Sequence, residues 1–151
     1  MICDNFHINP AVFPLVRKMK GDKLVLITDC TRAGGLEDGE YTLGGQPIFV
    51  KGVECRLADG TIAGSVLKLN HAVRNYLRAT GCPIWEAVNA ASLTPARAIH
   101  VDDCKGSLEP GKLADMVVLG DNPLAVDKKA IRDIPVLATI VGNELVYGSL
   151  E

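Results

Sequence analysis

The sequence predicts a mixed α/β fold, and three observations carry that reading. The run Lys23-Leu24-Val25-Leu26-Ile27-Thr28 is apolar without interruption, as befits a parallel strand covered on both faces. A helix signal precedes it: Asn9 before Pro10 reads as an N-cap with proline at the first helical position, and Gly21 as the stop, giving a helix over 10–20. Helix followed by buried strand is the rhythm of a βα architecture. Further on, short alternating segments separated by glycine pairs add antiparallel strands.

The remaining elements follow in order. Between 39 and 57, Tyr41-Thr42-Leu43, a Gly44-Gly45 turn, Ile48-Phe49-Val50, a Lys51-Gly52 turn and the residues from Val53 to Leu57 predict short hairpin strands. Leu69, Ala72, Val73, Tyr76 and Leu77 recur at the three-and-four spacing of an amphipathic helix, which Gly81 ends. Two further helices are expected to begin with proline at the first position, at Pro83 behind Cys82 and at Pro95 behind Thr94. Strands return over 114–119, 136–141 and 144–147, the last two paired across Gly142-Asn143.

Composition excludes several classes. With 151 residues, 48% apolar and 23% charged, the chain is long enough and apolar enough for a folded core. A formal net charge of -2 from 16 basic and 18 acidic side chains, well mixed, offers no stripe for nucleic acid and no polybasic anchor for a membrane. The longest apolar runs are too short to cross a bilayer, and the first residues lack a charged segment followed by an apolar one, so no signal peptide is expected. Five cysteines, Cys3, Cys30, Cys55, Cys82 and Cys104, are odd in number and lack a CxxC pair, so a reducing, cytoplasmic setting is expected.

Asp29 is the first catalytic candidate. It closes the strand-like run and is followed by Cys30-Thr31-Arg32-Ala33-Gly34-Gly35, which cannot continue a strand. In barrels of alternating strands and helices, functional groups collect at the C-terminal strand ends, where the strand fixes a position and the loop shapes a pocket. The alternative is a turn aspartate that hydrogen-bonds its own loop.

Three segments resemble the N-acetylglucosamine-6-phosphate deacetylases of the amidohydrolase superfamily: Leu26-Ile27-Thr28-Asp29-Cys30-Thr31, Asp38-Gly39-Glu40-Tyr41-Thr42-Leu43-Gly44-Gly45-Gln46 and Leu57-Ala58-Asp59-Gly60-Thr61-Ile62-Ala63-Gly64-Ser65. The middle one is the most specific. Asn89-Ala90-Ala91-Ser92-Leu93-Thr94-Pro95-Ala96-Arg97 and the stretch from Lys105 to Val118 resemble general amidohydrolase signatures. The resemblance implies the C-terminal portion of a (β/α)8 TIM-like barrel, with closing strands of a small β-sandwich. The division is then 1–113 for the last barrel units, with the hairpin excursion at 39–57, and 114–151 for the sandwich strands.

The resemblance also implies roles. Asp29 looks like the acid–base carboxylate that takes a proton from metal-bound water and returns it to the leaving amine. His7, in Cys3-Asp4-Asn5-Phe6-His7, looks like a substrate-binding histidine; paired with a loop backbone group, it would be structural instead. Ile62, Ala63, Gly64 and Ser65 resemble the loop that lines the sugar pocket with backbone groups and leads to a helix N-terminus; a turn with Ser65 as N-cap explains the same residues without a ligand. His71 and His100 are expected at the surface, Trp85 in core or interface packing, and the basic turn from Lys105 to Lys112 in solvent. Asn5 stands where the family has glycine, and asparagine is the least costly substitute if that position needs a positive φ.

Length is the main departure, since a full barrel takes about 250 residues. The expectation is a C-terminal portion whose start reflects truncation, a split gene or a gene-model boundary. A divalent metal, zinc or iron, is implied for the full enzyme; His7, His71 and His100 form no HxH or HxxxH pair, so its ligands are expected outside this chain. The chain alone is therefore expected to be inactive. The implied partners are a sugar phosphate and either the missing N-terminal half or a second copy covering exposed strand edges. A non-catalytic α/β module that binds a ligand or oligomerises is the alternative, and another amidohydrolase is a further one.

Overall fold

Segments that can complete their own hydrogen bonding fold as their local signals say. In a computed structural model of the chain, which describes residues 1–127 and 130–150, Asn9 Oδ1 accepts from the Ala11 amide at 2.9 Å and opens a 3-10 turn, Pro10–Val12. That turn runs into helix α1, Phe13–Lys20, which Gly21 closes at φ 52°. The described residues gather into two compact units, 1–21 with 26–81, and 22–25 with 82–151.

In the first unit, strands β1 (Gly39–Leu43), β2 (Gln46–Lys51) and β3 (Glu54–Arg56) form an antiparallel sheet in the order β1-β2-β3. Gly44 and Gly45 take φ 58° and 82°, the left-handed pair that a two-residue hairpin turn requires. The second turn is Gly52-Val53, because Lys51 pairs with Glu54; it falls one residue later than the expected Lys51-Gly52. Gly52, at φ 61°, supplies the positive first turn position, and its amide donates to Asp38 Oδ1 at 2.8 Å. The sheet's inner face joins Ile48, Val50 and Cys55 to Ala33 and Ala63, with Tyr41, Leu57 and Val66 against them. Burial of Ile48 alone contributes about 1.5–3 kcal/mol. Helix α2, Leu69–Thr80, ends at Gly81 in the left-handed conformation, buries Ala72, Tyr76 and Leu77, and packs against α1.

The expected strand at 23–28 does not form as a regular strand. Among the described residues it is reduced to a parallel bridge between Ile27 and Ile2, with a second bridge beyond it between Cys30 and Ser65. A parallel strand obtains its hydrogen bonds from segments distant in sequence, and Lys23 instead belongs to a 3-10 turn, Gly21–Lys23.

In the second unit, helix α3 is Ile84–Ala91 and α4 is Leu93–Ala98. Both expected starts shift. Pro83 is the N-cap of α3, not its first residue, and α4 begins two residues before Pro95 behind Ser92. Proline remains within the first turn of α4, where its missing N–H is no loss. Thr94 is inside that helix, and its Oγ1 donates to the Asp22 carbonyl at 3.2 Å. Gly106, at φ 89°, passes so close to α4 that a Cβ there would stand 2.7 Å from Ala96 Cβ. Strands β4 (Met116–Leu119), β5 (Val136–Val141) and β6 (Glu144–Gly148) form an antiparallel sheet in that order, with Gly142 and Asn143 at φ 58° and 72° in the hairpin turn. Trp85 is 63% exposed, so it is not core. The basic turn is also tied down: Lys105 pairs with Asp115, and Lys112 Nζ donates to Ser107 Oγ at 2.7 Å beside Glu109.

Candidate active site

The first unit sets the segment that ends at Asp4, the segment that carries Asp29 and the Gly64-Ser65 loop side by side. Ile2 and Ile27 pair in parallel, the Ile27 amide donating to the Met1 carbonyl at 3.1 Å, and Asp4 and Asp29 each follow that pair by two residues. Cys30 pairs in parallel with Ser65 on the other side. Three segments thus run side by side through isolated bridges in the order 1–4, 27–31, 64–65, with both aspartates just beyond the Ile2–Ile27 bridge.

Asp29 is exposed and takes φ 50°, a left-handed conformation uncommon for a residue with a Cβ. Its carbonyl accepts from the Ser65 amide at 3.1 Å, while the Thr31 amide donates to the Ser65 carbonyl at 2.8 Å. The backbone on both sides of the carboxylate is therefore clamped. Among the described residues no donor reaches the carboxylate itself, so Asp29 is not the turn aspartate of the alternative reading.

Ser65 supplies the clamp. Fully buried, its Oγ donates to the Thr28 carbonyl at 2.7 Å and accepts from the Leu67 amide at 2.9 Å. It is not a helix cap: α2 starts four residues later, with Lys68 at the N-cap position. Gly64, at φ 79°, lies where a Cβ would come 2.8 Å from Thr31 Cγ2, so glycine here lets the loop approach the Asp29 segment. The Ala63 amide donates to the Cys55 carbonyl at 2.9 Å, and Ala63 is buried, whereas Ile62 is 41% exposed.

His7 is held by a side chain, not by a loop backbone group. Its Nδ1 lies 2.6 Å from Asp4 Oδ2, and Asp4 Oδ1 accepts from the amides of Phe6 and His7 at 3.0 and 2.9 Å. Asn5 takes φ 65°, as its replacement of glycine anticipates, which lets the loop wrap round the carboxylate. Phe6 meets the His7 ring edge-on at 5.5 Å, and the Arg56 guanidinium lies 4.8 Å over Phe6. Beneath the loop, Asn75 Nδ2 of α2 donates to the Cys3 carbonyl at 2.8 Å, and burial pushes the Cys3 thiol up to about 12. Sequence signals do not single out the buried Asp4 and Asn75; an aspartate two and three residues before amides that donate to it is the Asx-turn pattern that marks Asp4. His71 is half-buried in the wall of a cavity of about 270 Å³, beside Lys68, Arg74, Asn75 and Asp4, and is not the plain surface residue expected.

The chain belongs to the amidohydrolase family, whose sequence profile matches residues 63–147. More particularly, it is 44% identical over 119 residues to a putative N-acetylgalactosamine-6-phosphate deacetylase of Escherichia coli K12, covering 79% of this chain and 71% of that protein. It is 41% identical over 152 residues to the N-acetylglucosamine-6-phosphate deacetylase of Bacillus subtilis, covering 100% of this chain and 36% of that protein. The crystal structure of N-acetylglucosamine-6-phosphate deacetylase from Pasteurella multocida superposes with a TM-score of 0.82 at 30% identity, over 96% of this chain and 35% of that one. The chain thus spans about a third of the Bacillus and Pasteurella proteins.

The divalent metal implied by the resemblance does not fit the described residues, which gather no group of three or more His, Cys, Asp or Glu side chains. No described helix is long and apolar enough to cross a membrane.

Proposed function

We propose that this chain supplies the acid–base and sugar-binding edge of an enzyme that deacetylates N-acetylglucosamine 6-phosphate to glucosamine 6-phosphate and acetate. The observation that carries the reading is the exposed, backbone-clamped carboxylate of Asp29 in its strained left-handed conformation, on a segment bridged to the one whose Asp4 holds His7. In amide hydrolysis the attacking water loses a proton as its oxygen bonds to the acetamide carbon, and the nitrogen gains one as the C–N bond breaks. Asp29 takes the first proton and delivers the second. His7 hydrogen-bonds the sugar or the carbonyl oxygen, and exposed Ile62 with Gly64 offers backbone to the sugar, whereas Ser65 acts by holding the edge.

In the complete enzyme we assign residues 1–113 to the last units of a (β/α)8 barrel and 114–151 to strands of a β-sandwich. Support for a covering partner comes from β6, every residue of which is exposed, including Leu145, Val146 and Tyr147. The metal ligands then come from the complementary part of the enzyme. A second reading, the N-acetylgalactosamine isomer as substrate, is favoured by the higher identity of the Escherichia coli relative; coverage of the whole chain favours the glucosamine.

The test is acetate release from both sugar phosphates by the chain with zinc, with and without a polypeptide supplying the rest of the relatives' length. Turnover only on complementation, reduced roughly 10²- to 10⁴-fold by Asp29→Asn, is the expected result. Full activity in the Asp29→Asn complex would overturn the assignment.

A further inference from the structure

Asp4 has no role in the reading above, yet its geometry is that of a group built to hold one ring. Its side chain is 2% exposed, and its two oxygens divide their work. Oδ1 takes the Phe6 and His7 amides, closing the loop, and Oδ2 takes His7 Nδ1 at 2.6 Å. We propose that Asp4 is a positioning residue that locks His7 in the Nδ1–H tautomer, so that Nε2 is the atom presented to a ligand.

A carboxylate already accepting two amide hydrogens is an acceptor, so a contact of 2.6 Å to Nδ1 needs the hydrogen on nitrogen. The neutral ring then has a bare lone pair at Nε2, which faces away from Asp4 by the geometry of the imidazole. Two further contacts limit rotation: Phe6 against the ring, and Arg56 over Phe6. The histidine side chain keeps 18% of its surface exposed, enough for one edge to meet a ligand. Its uncharged form accepts a hydrogen bond from a donor such as a sugar hydroxyl and does not donate to a carbonyl oxygen. Resting on the deacetylase reading, this leaves the hydroxyl group, of the two partners of His7 given there, as the one that the neutral ring can meet through Nε2.

The measurement is the 15N spectrum of the His7 side chain in the ligand-free 151-residue chain at about pH 8.5, where an ordinary imidazole is neutral. The expected spectrum has Nδ1 protonated and Nε2 bare. Asp4→Asn is expected to abolish that preference, because the new amide can donate to Nδ1 and drive the hydrogen to Nε2. A wild-type ring protonated at Nε2, or an Asp4→Asn variant that folds and keeps the Nδ1–H signature, would overturn the proposal; if the variant does not fold, the wild-type spectrum decides. Adding N-acetylglucosamine 6-phosphate separates this from the function above. With the polypeptide that supplies the rest of the relatives' length also present, a fixed Nδ1–H tautomer with an Nε2 signal unmoved by the sugar would sustain Asp4's hold on the ring and remove the substrate role of His7.

Discussion

The β1-β2 hairpin and the Asp29 edge are neighbours in one unit, yet they are held together in different ways. The hairpin closes five residue pairs, from Gly39 with Val50 to Leu43 with Gln46, across a two-residue turn. The Asp29 segment is joined on either side by isolated bridges and is otherwise secured by a side chain, Ser65 to Thr28, while Asn75 holds the neighbouring segment at Cys3. An antiparallel ladder is completed by its own sequence, whereas parallel segments borrow partners from far along the chain. The candidate chemistry sits on the borrowed architecture, where single residues carry what a ladder would share.

The largest effect that would sharpen this contrast is expected from Ser65→Ala. It strips a buried donor and acceptor and leaves the Thr28 carbonyl and Leu67 amide unpaired, at roughly 1–3 kcal/mol. Amide exchange should accelerate at Thr31 and Ser65 while the β1-β2 amides keep their protection. Equal acceleration in both regions would erase the distinction.

A smaller effect separates two cysteines. Cys3 lies in the bridged edge and Cys55 in β3, both fully buried, and burial raises both thiols above their ordinary value. Alkylation by a neutral reagent therefore reports opening of each region. Cys3 should be modified about tenfold faster than Cys55, equivalent to about 1.4 kcal/mol in opening free energy, and exposed Cys30 before either. The reverse order would show the hairpin to be the weaker region.

The smallest concerns the β4-β6 sheet and acid. A hydrogen bond from the Lys105 ammonium, then the Gly142 amide at 2.7 Å, holds the Asp115 carboxyl below the usual range. Since the folded value is the lower one, its contribution is present above the unfolded carboxylate range and is lost as pH falls through the folded value. Asp115→Asn should lower Tm slightly near neutrality, and the two melting temperatures should converge as pH falls through the lowered value of the folded carboxyl. A constant gap across that range would exclude the carboxylate as the cause.

The same contrast governs what could be read from sequence. Asn9-Pro10, Gly21, Gly44-Gly45, Gly81 and Gly142-Asn143 act on their immediate neighbours, and each marks a boundary found in the fold. The run at 23–28 does not become a regular strand, because apolar content reports burial and not the partner that supplies hydrogen bonds. Pro83 and Pro95 lie near helix starts, but proline is tolerated at several positions of a first turn, so it leaves the exact residue open. Within the site, Asp29 and His7 could be picked out by position and motif. Asp4, Asn75 and the clamping role of Ser65 depend on hydrogen bonds made inside the fold, and the last two reach across 72 and 37 residues.

Those two spans have a kinetic consequence. Closing a loop of 72 residues costs about 0.6 kcal/mol more in chain entropy than closing one of 37. The hairpin at residues 39–51 needs no such closure and forms on its own timescale of about 1–10 μs. The segment bearing Cys3, Asp4 and His7 is thus among the last to settle, because the side-chain amide that anchors it waits in α2, 72 residues further along the chain.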